Sequence, residues 1–282
     1  MRTVKTILSL RRIIQKAKTK KKTIGFVPTM GALHEGHLSL IRRCKKENDL
    51  TVLSVFVNPA QFGPKEDFKN YPRETGKDIL LAKKENVDIL FCPSVDEIYP
   101  RGYLTYIEVE KISGALCGKY RPGHFKGAAT VVGKLLNIVD PDVLYLGQKD
   151  AQQAAVLKKM VEDINFPVTI KVCPTVREAD GLALSSRNSY LTEEERKEAP
   201  VLYRSLVEIK KRVAEGECDS KNIISFIREK IEENSSGKVQ YIECVQAESF
   251  KPVEKLEGKV LIALAVFFGQ TRLIDNILVN VK

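Results

Sequence analysis

The sequence has no tryptophan, three methionines and three histidines in 282 residues, so imidazole chemistry is confined to very few positions. It has no apolar run near the ~20 residues that a membrane-spanning helix needs. The longest, Val260 to Phe268, suits a buried strand, and no membrane partner is expected. The first residues, Met1-Arg2-Thr3-Val4-Lys5, lack the apolar stretch of a secretory signal. The cysteines (Cys44, Cys92, Cys117, Cys173, Cys218 and Cys244) show no CxxC spacing and no disulfide framework. That argues against a structural zinc site and for a reducing compartment, so a cytoplasmic location is expected.

Acidic charge is in deficit: 46 Lys and Arg stand against 36 Asp and Glu, for a net charge of +10. Such a balance fits either a nucleic-acid binder or an enzyme whose substrates are anions. The densest basic run, Lys16 to Lys22, has no interleaved aromatics of the kind that single-strand binders use. It reads as the solvated end of a first helix, and nucleic acid is not the expected partner.

Most of the chemistry lies in Pro28-Thr29-Met30-Gly31-Ala32-Leu33-His34-Glu35-Gly36-His37. An apolar run before it, Thr23 to Val27, reads as a buried parallel strand. After it, Leu38, Leu40, Ile41 and Cys44 fall at helical spacing. A strand therefore turns through a glycine-bearing loop into a helix, with His34 and His37 on one face of its first turn. Backbone N–H groups and the positive dipole end favour phosphate there. Imidazole could donate to phosphoryl oxygens and to charge developing on a leaving group. A surface pair and a metal pair are the competing readings, and no third metal ligand is apparent.

Strand and helix signals alternate along the first part of the chain. Leu50 to Val57 is an expected strand, followed by a long polar stretch, Asn58 to Lys77, that reads as a functional loop. A helix (Asp78 to Lys84), a strand (Val87 to Cys92) and an extended piece (Leu104 to Val109) follow. Cys117 to Phe125 reads as a basic, glycine-rich loop before an apolar helix, Ala128 to Val139. Strands are expected at 143–146 and 168–172, with a helix from Ala151 to Ile164 between them. This pattern argues α/β architecture with a doubly wound parallel sheet, whose ligands bind at the carboxyl ends of the strands. Beyond Val176 come charged helices (Thr192 to Ala214, Asp219 to Glu233) and three strand-like runs, the pattern of a smaller α+β domain. The expected domains are 1–176 and 177–282.

Other polar clusters fall at element ends. Leu184-Ser185-Ser186-Arg187-Asn188 offers hydroxyls and a guanidinium suited to β- and γ-phosphates, or else is a solvated interdomain loop. Thr192 and Glu195 form a capping box. In Gly147-Gln148-Lys149-Asp150, a lysine at a helix start is disfavoured by the dipole and points to an anionic ligand. Asp150 reads as a ribose contact or a plain N-cap. Gln61 and Gln153 follow strand ends and suit a small polar substrate. Arg121 and His124 either meet a carboxylate substrate or pair locally.

His34-Glu35-Gly36-His37 resembles the HxGH signature of the nucleotidyltransferase superfamily, and Leu184 to Asn188 is similar to its second, mobile phosphate motif. The HxGH stretch from Pro28, Phe56 to Phe62, Tyr71-Pro72-Arg73, Arg121 to Phe125 and Gly147 to Asp150 together resemble the pantoate–β-alanine ligase family over essentially the whole chain. The resemblance implies a Rossmann-like nucleotidyltransferase core and an ATP-dependent, AMP-forming ligase. Pantoate is first adenylated, and the amine of β-alanine then attacks the activated carbonyl. By carry-over, Met30, Gly31, Ala32, Leu33, His34, Glu35, Gly36, His37, Gly147, Gln148, Lys149, Asp150, Val176, Leu184, Ser185, Ser186 and Arg187 bind ATP. His37, His34 and Lys149 carry the catalysis, and Gln61 and Gln153 hold pantoate, with Gln61 also approaching β-alanine. Mg2+ is expected with ATP, its protein ligands unassigned; Asp78 is a candidate, with Lys77 and Leu81 where some relatives carry polar ligands. A homodimer is implied, with the smaller domain closing over the nucleotide.

Overall fold

The structure, a computed structural model, describes residues 1–64 and 66–281; Lys65, within the expected 58–77 loop, lies outside the described residues. Strands are β1 (Arg2–Val4), β2 (Ile24–Thr29), β3 (Leu50–Val55), β4 (Ile89–Phe91), β5 (Val143–Gly147), β6 (Thr169–Cys173), β7 (Lys238–Gln246), β8 (Gly258–Phe268) and β9 (Thr271–Val281). Helices are α1 (Ile7–Lys18), α2 (Glu35–Glu47), α3 (Thr75–Lys84), α4 (Val95–Ile98), α5 (Leu116–Tyr120), α6 (His124–Val139), α7 (Ala151–Asp163), α8 (Glu193–Glu198), α9 (Val201–Ala214) and α10 (Ser220–Asn234). The chain divides into two compact units, residues 1–114 with 118–174 and residues 115–117 with 175–282.

The first unit holds a six-stranded sheet in the order β1-β4-β3-β2-β5-β6. Every pairing is parallel, with Ile24 opposite Leu50, Gly25 opposite Val143 and Val143 opposite Thr169. Both faces of the central strands are apolar, and Ile24, Phe26, Val27, Val52, Leu53 and Leu144 are fully buried. Parallel strands covered by helices require such continuous apolar runs. Helix α2 contributes Leu38, Leu40, Ile41 and Cys44 to this core. It packs so close to β2 that a Cβ on Gly25 would stand 2.3 Å from the Cys44 sulfur. The strand order reverses at β2, where β3 lies on one side and β5 on the other. In open α/β sheets ligands bind at such a switch point, here outside the carboxyl ends of β2 and β5.

The second unit is a three-stranded antiparallel sheet, β7-β8-β9, with Val260 opposite Val279 and Cys244 opposite Ile262. Leu202, Leu206 and Ile209 of α9 and Ile223, Ile227 and Ile231 of α10 share its core with Ile262, Leu264, Val266 and Phe268. The doubly wound parallel sheet and the smaller α+β unit agree with the sequence reading.

Four local expectations need correction. An unexpected strand, β1, pairs with β4 at the sheet edge. The expected 192–214 helix is two helices, because Pro200 has no N–H to continue α8 and serves instead as the N-cap of α9. Its capping box does form, with Glu195 N–H donating to Thr192 Oγ1 at 3.2 Å. The 117–125 stretch is mostly helical, divided between α5 and the start of α6. Helix α3 begins at Thr75, which shortens the 58–77 loop, and a 3-10 turn over Pro59–Gln61 shortens it further.

Candidate active site

The loop after β2 is fixed from two sides. Thr29 Oγ1 donates to the Ser54 carbonyl at 2.7 Å and accepts from Gly31 N–H at 3.2 Å. Asp78, on α3 and 2% exposed, accepts from Ala32 N–H at 3.1 Å and from Leu33 N–H at 2.8 Å, one on each carboxylate oxygen. Gly31 (φ 85°) and Ala32 (φ 49°) both lie in the left-handed region. Only glycine suits position 31, since a Cβ there would also stand 2.8 Å from Asp78 Oδ2. Burial pushes the Asp78 carboxyl upward, and the two amides oppose that shift. The carboxylate considered as a Mg2+ ligand is thus the clamp of the loop that leads to both histidines.

His34 is the N-cap of α2 and His37 its third helical residue, with ring centroids 4.1 Å apart. His34 Nδ1 accepts from Gly36 N–H at 3.2 Å, and His37 Nδ1 accepts from His34 N–H at 3.4 Å. A histidine capping box has therefore formed from the side chains themselves. It also fixes the tautomer. A backbone N–H can only donate, so each Nδ1 is unprotonated and the neutral ring carries its proton on Nε2. Burial, with Lys149 next, lowers the His34 pKa to about 4. Burial, with His34 next, lowers that of His37 to about 3. Both rings are neutral at pH 7, and neither Nε2–H has a hydrogen-bond partner among the described residues. The helix-start amides are largely consumed: Gly36 N–H by His34 Nδ1, and His37 N–H by the His34 carbonyl at 2.8 Å. With these two amides engaged, the imidazole Nε2–H groups are the donors of this turn that have no acceptor among the described residues.

Across the switch point, Gly147 ends β5, and Gln148 to Asp150 form a 3-10 turn into α7. Lys149 and Asp150 act electrostatically on both histidines. The two side chains are 3.7 Å apart. Asp150 occupies the N-cap position of α7 without a side-chain capping bond, so capping does not account for its carboxylate. Gln153 lies half-buried in the first turn of the same helix.

Gln61 sits in the turn after β3 and is 7% exposed. Its Oε1 accepts from Asn58 Nδ2 at 2.9 Å, and its Nε2 has no partner among the described residues. Its backbone carbonyl lies 2.8 Å from His124 Nδ1. A carbonyl only accepts, so His124 carries its proton on Nδ1, and Nε2 accepts from Arg121 at 3.2 Å. Burial, then Arg121, lowers the His124 pKa to about 4. Arg121 is bidentate to Glu66 at 2.7 and 2.6 Å, so both Arg121 and His124 have local partners. Thr29, Asn58 and Tyr99 were not among the expected site residues, although Thr29 lies in the Pro28 to His37 stretch and Asn58 in the Phe56 to Phe62 motif.

In the second unit, the loop from Val176 to Tyr190 is tied to its own neighbours. Leu184 N–H donates to the Val176 carbonyl at 3.0 Å, and Arg187 N–H to Ser185 Oγ at 3.3 Å. Arg177 forms a bidentate pair with Asp275 (2.6 and 2.9 Å), binds the Gly181 carbonyl and stacks 3.7 Å over the Tyr203 ring. Ser186 to Tyr190 form a 3-10 turn.

Comparison with known proteins decides the identity. The family model described as pantoate-beta-alanine ligase matches residues 2–278. The chain belongs to the pantoate–β-alanine ligase family. It is 53% identical over 281 residues to the pantothenate synthetase of Acetivibrio thermocellus, covering 100% of both chains. It is 56% identical to that of Caldicellulosiruptor bescii, covering 99% of each. The pantothenate synthetase structure from Thermus thermophilus superposes with a TM-score of 0.93 at 43% identity, covering 98% of this chain and 99% of that one. A Francisella tularensis pantoate-beta-alanine ligase, complexed with beta-gamma ATP and beta-alanine, gives a TM-score of 0.82 at 40% identity over 99% of this chain and 97% of its own.

Proposed function

We infer that this chain condenses pantoate with β-alanine at the expense of ATP, by way of a pantoyl adenylate. The observation that carries this within the family is the neutral histidine pair at the switch point, which offers two unengaged Nε2–H donors beside Lys149. In the first step the pantoate carboxylate attacks the α-phosphorus and pyrophosphate departs. His34 and His37 donate hydrogen bonds to phosphoryl oxygens as charge builds there, and Lys149 supplies permanent positive charge. A neutral imidazole at pH 7 stabilises charge; it holds no spare proton for a leaving group that leaves as an anion. Asp150 accepts from ribose, and Gln61 and Gln153 hold pantoate. Ser185, Ser186 and Arg187 contact the distal phosphates. In the second step the neutral amine of β-alanine attacks the acyl carbon and AMP departs.

Mg2+ is proposed to arrive with the triphosphate. No group of three His, Cys, Asp or Glu among the described residues suits a metal, and both Asp78 oxygens are engaged by amides. The ion would therefore keep phosphate and water ligands. A cytoplasmic setting is supported by six free cysteines, four of them buried. A homodimer is proposed from the family resemblance alone.

The test is exchange of labelled pyrophosphate into ATP with pantoate and Mg2+ and without β-alanine. Exchange that depends on pantoate and not on amino acids establishes the adenylate. Absence of exchange despite ATP binding refutes the two-step reaction.

A further inference from the structure

The amide of Gln61 has two possible orientations, one presenting N–H donors to a ligand and the other a carbonyl acceptor. Three neighbouring contacts decide between them. Asn58, 1% exposed, receives Ala60 N–H on Oδ1 at 3.3 Å and sends Nδ2 to the Gly127 carbonyl at 3.0 Å. A backbone N–H only donates and a backbone carbonyl only accepts, so Oδ1 and Nδ2 of Asn58 cannot be exchanged. Nδ2 then has its second proton for Gln61 Oε1, which it meets at 2.9 Å. The remaining strut comes from the far end of α4, where Tyr99 OH donates to Asn58 Oδ1 at 2.9 Å. The Tyr99 ring is wedged against Phe56 and Tyr103, at centroid distances of 6.3 and 5.1 Å.

We propose that Tyr99 is a positioning residue for pantoate, acting through Asn58 to lock Gln61 with its Nε2 donors facing the ligand. The proposal rests on Gln61 holding pantoate. It gives that residue a polarity: Gln61 selects for acceptor oxygens, the carboxylate or hydroxyl oxygens of the substrate, and against donors. Burial raises the Tyr99 phenol above its ordinary range, so the hydroxyl keeps the proton that it donates. Without that hydroxyl, Asn58 Oδ1 keeps only the longer 3.3 Å bond, and the relay can slacken or flip. A flipped Gln61 would turn its carbonyl oxygen toward an anionic substrate. The wall that carries the relay is otherwise closed. A Cβ on Gly127 would stand 2.0 Å from the Ala60 carbonyl oxygen, so α6 and the Gln61 turn have no slack through which to compensate.

The experiment compares Tyr99→Phe, Gln61→Ala and the double variant for KM of pantoate, KM of ATP and thermal midpoint. Tyr99→Phe should raise the pantoate KM roughly three- to tenfold, the effect of one relayed hydrogen bond, with the ATP KM unchanged and the midpoint lowered by no more than a few degrees. In the Gln61→Ala background the same substitution should add nothing, because the group that it orients is gone. Asn58→Asp, which replaces the donor with an acceptor, should raise the pantoate KM further than Tyr99→Phe. If Gln61→Ala leaves the pantoate KM at the parent value, the pantoate reading of Gln61 fails and the relay falls with it. If Gln61→Ala raises it while Tyr99→Phe does not, or if the two effects add in full, the relay is refuted and the reading of Gln61 stands.

Discussion

Asp78→Asn tests whether the loop bearing both histidines is held by a buried carboxylate. Its two oxygens accept from Ala32 N–H at 3.1 Å and Leu33 N–H at 2.8 Å. Asparagine keeps one acceptor and turns an NH2 toward the other amide, so one bond to a charged acceptor becomes a buried donor facing a donor. Such a bond contributes about 1.5–3 kcal/mol, and the relief of burying a charge offsets part of the loss, leaving a net destabilisation of about 2 kcal/mol. At about 2–4 °C per kcal/mol for a unit of this size, the thermal midpoint should fall by several degrees. Ala32, at φ 49°, is strained without its clamp. The loop should relax and carry the His34 cap with it, and displacement of about 1 Å is enough to slow a positioned reaction roughly a hundredfold. Scanning calorimetry and pyrophosphate exchange measured across a Mg2+ titration read the two effects together. An unchanged midpoint with a raised Mg2+ requirement would show that Asp78 serves the metal and not the loop. An unchanged midpoint and rate would refute the clamp outright.

The histidines also predict the pH dependence of stability. The folded pKa values of His34, His37 and His124 lie near 4, 3 and 4, below the ordinary 6.5. As pH falls, the unfolded chain therefore takes up protons first. Their contribution is complete above pH 6.5 and is lost as pH drops toward 4, so the midpoint should fall over that window, less steeply in His37→Ala; a slope unaltered by that substitution contradicts neutral burial. Gly127→Ala should destabilise by about 1–3 kcal/mol through overpacking, since its Cβ would lie 2.0 Å from the Ala60 carbonyl oxygen. It should also raise the pantoate KM by displacing Gln61; a midpoint within a degree of the parent would contradict that close packing.

The sequence made the parallel sheet readable because β2, β3 and β5 are predominantly apolar runs, and α2 and α7 follow β2 and β5 with apolar residues at helical spacing. The placement of His34 and His37 in the first turn of α2 was readable because three-residue spacing after a glycine turn puts both on one helix face. Other features depend on partners distant in the chain. Asp78 meets amides 45 and 46 residues away, and Tyr99 meets Asn58 41 residues away. No local pattern announces either pairing. Strand β1 is three residues long and exists because Val4 pairs with Phe91. The helical start at His124 escaped notice because its N-cap is Gly123 in the left-handed region, with no capping side chain to signal it. At Pro200 the error was of another kind: charged, helix-favouring residues before it and apolar helical spacing after it disguised a break that the missing N–H makes unavoidable.

In all three histidines it is the backbone that places the proton. Amide N–H groups at Nδ1 make His34 and His37 Nε2–H donors, while a carbonyl at Nδ1 leaves His124 Nε2 to accept from Arg121. The same residue type is thereby used in opposite senses. Two rings are neutral Nε2–H donors at the start of α2, and the third is consumed in holding the Gln61 turn. Neutral donors suit a reaction whose ligand charge is redistributed between ATP, an adenylate and pyrophosphate, because they strengthen with charge on oxygen without repelling Lys149. A protonated pair 4.1 Å apart would repel each other and the lysine, and burial has already made that state costly. Positive charge beside the pair therefore rests on Lys149, and the histidines contribute direction. The two roles are separable because one depends on a permanent charge and the other on which nitrogen the backbone leaves protonated.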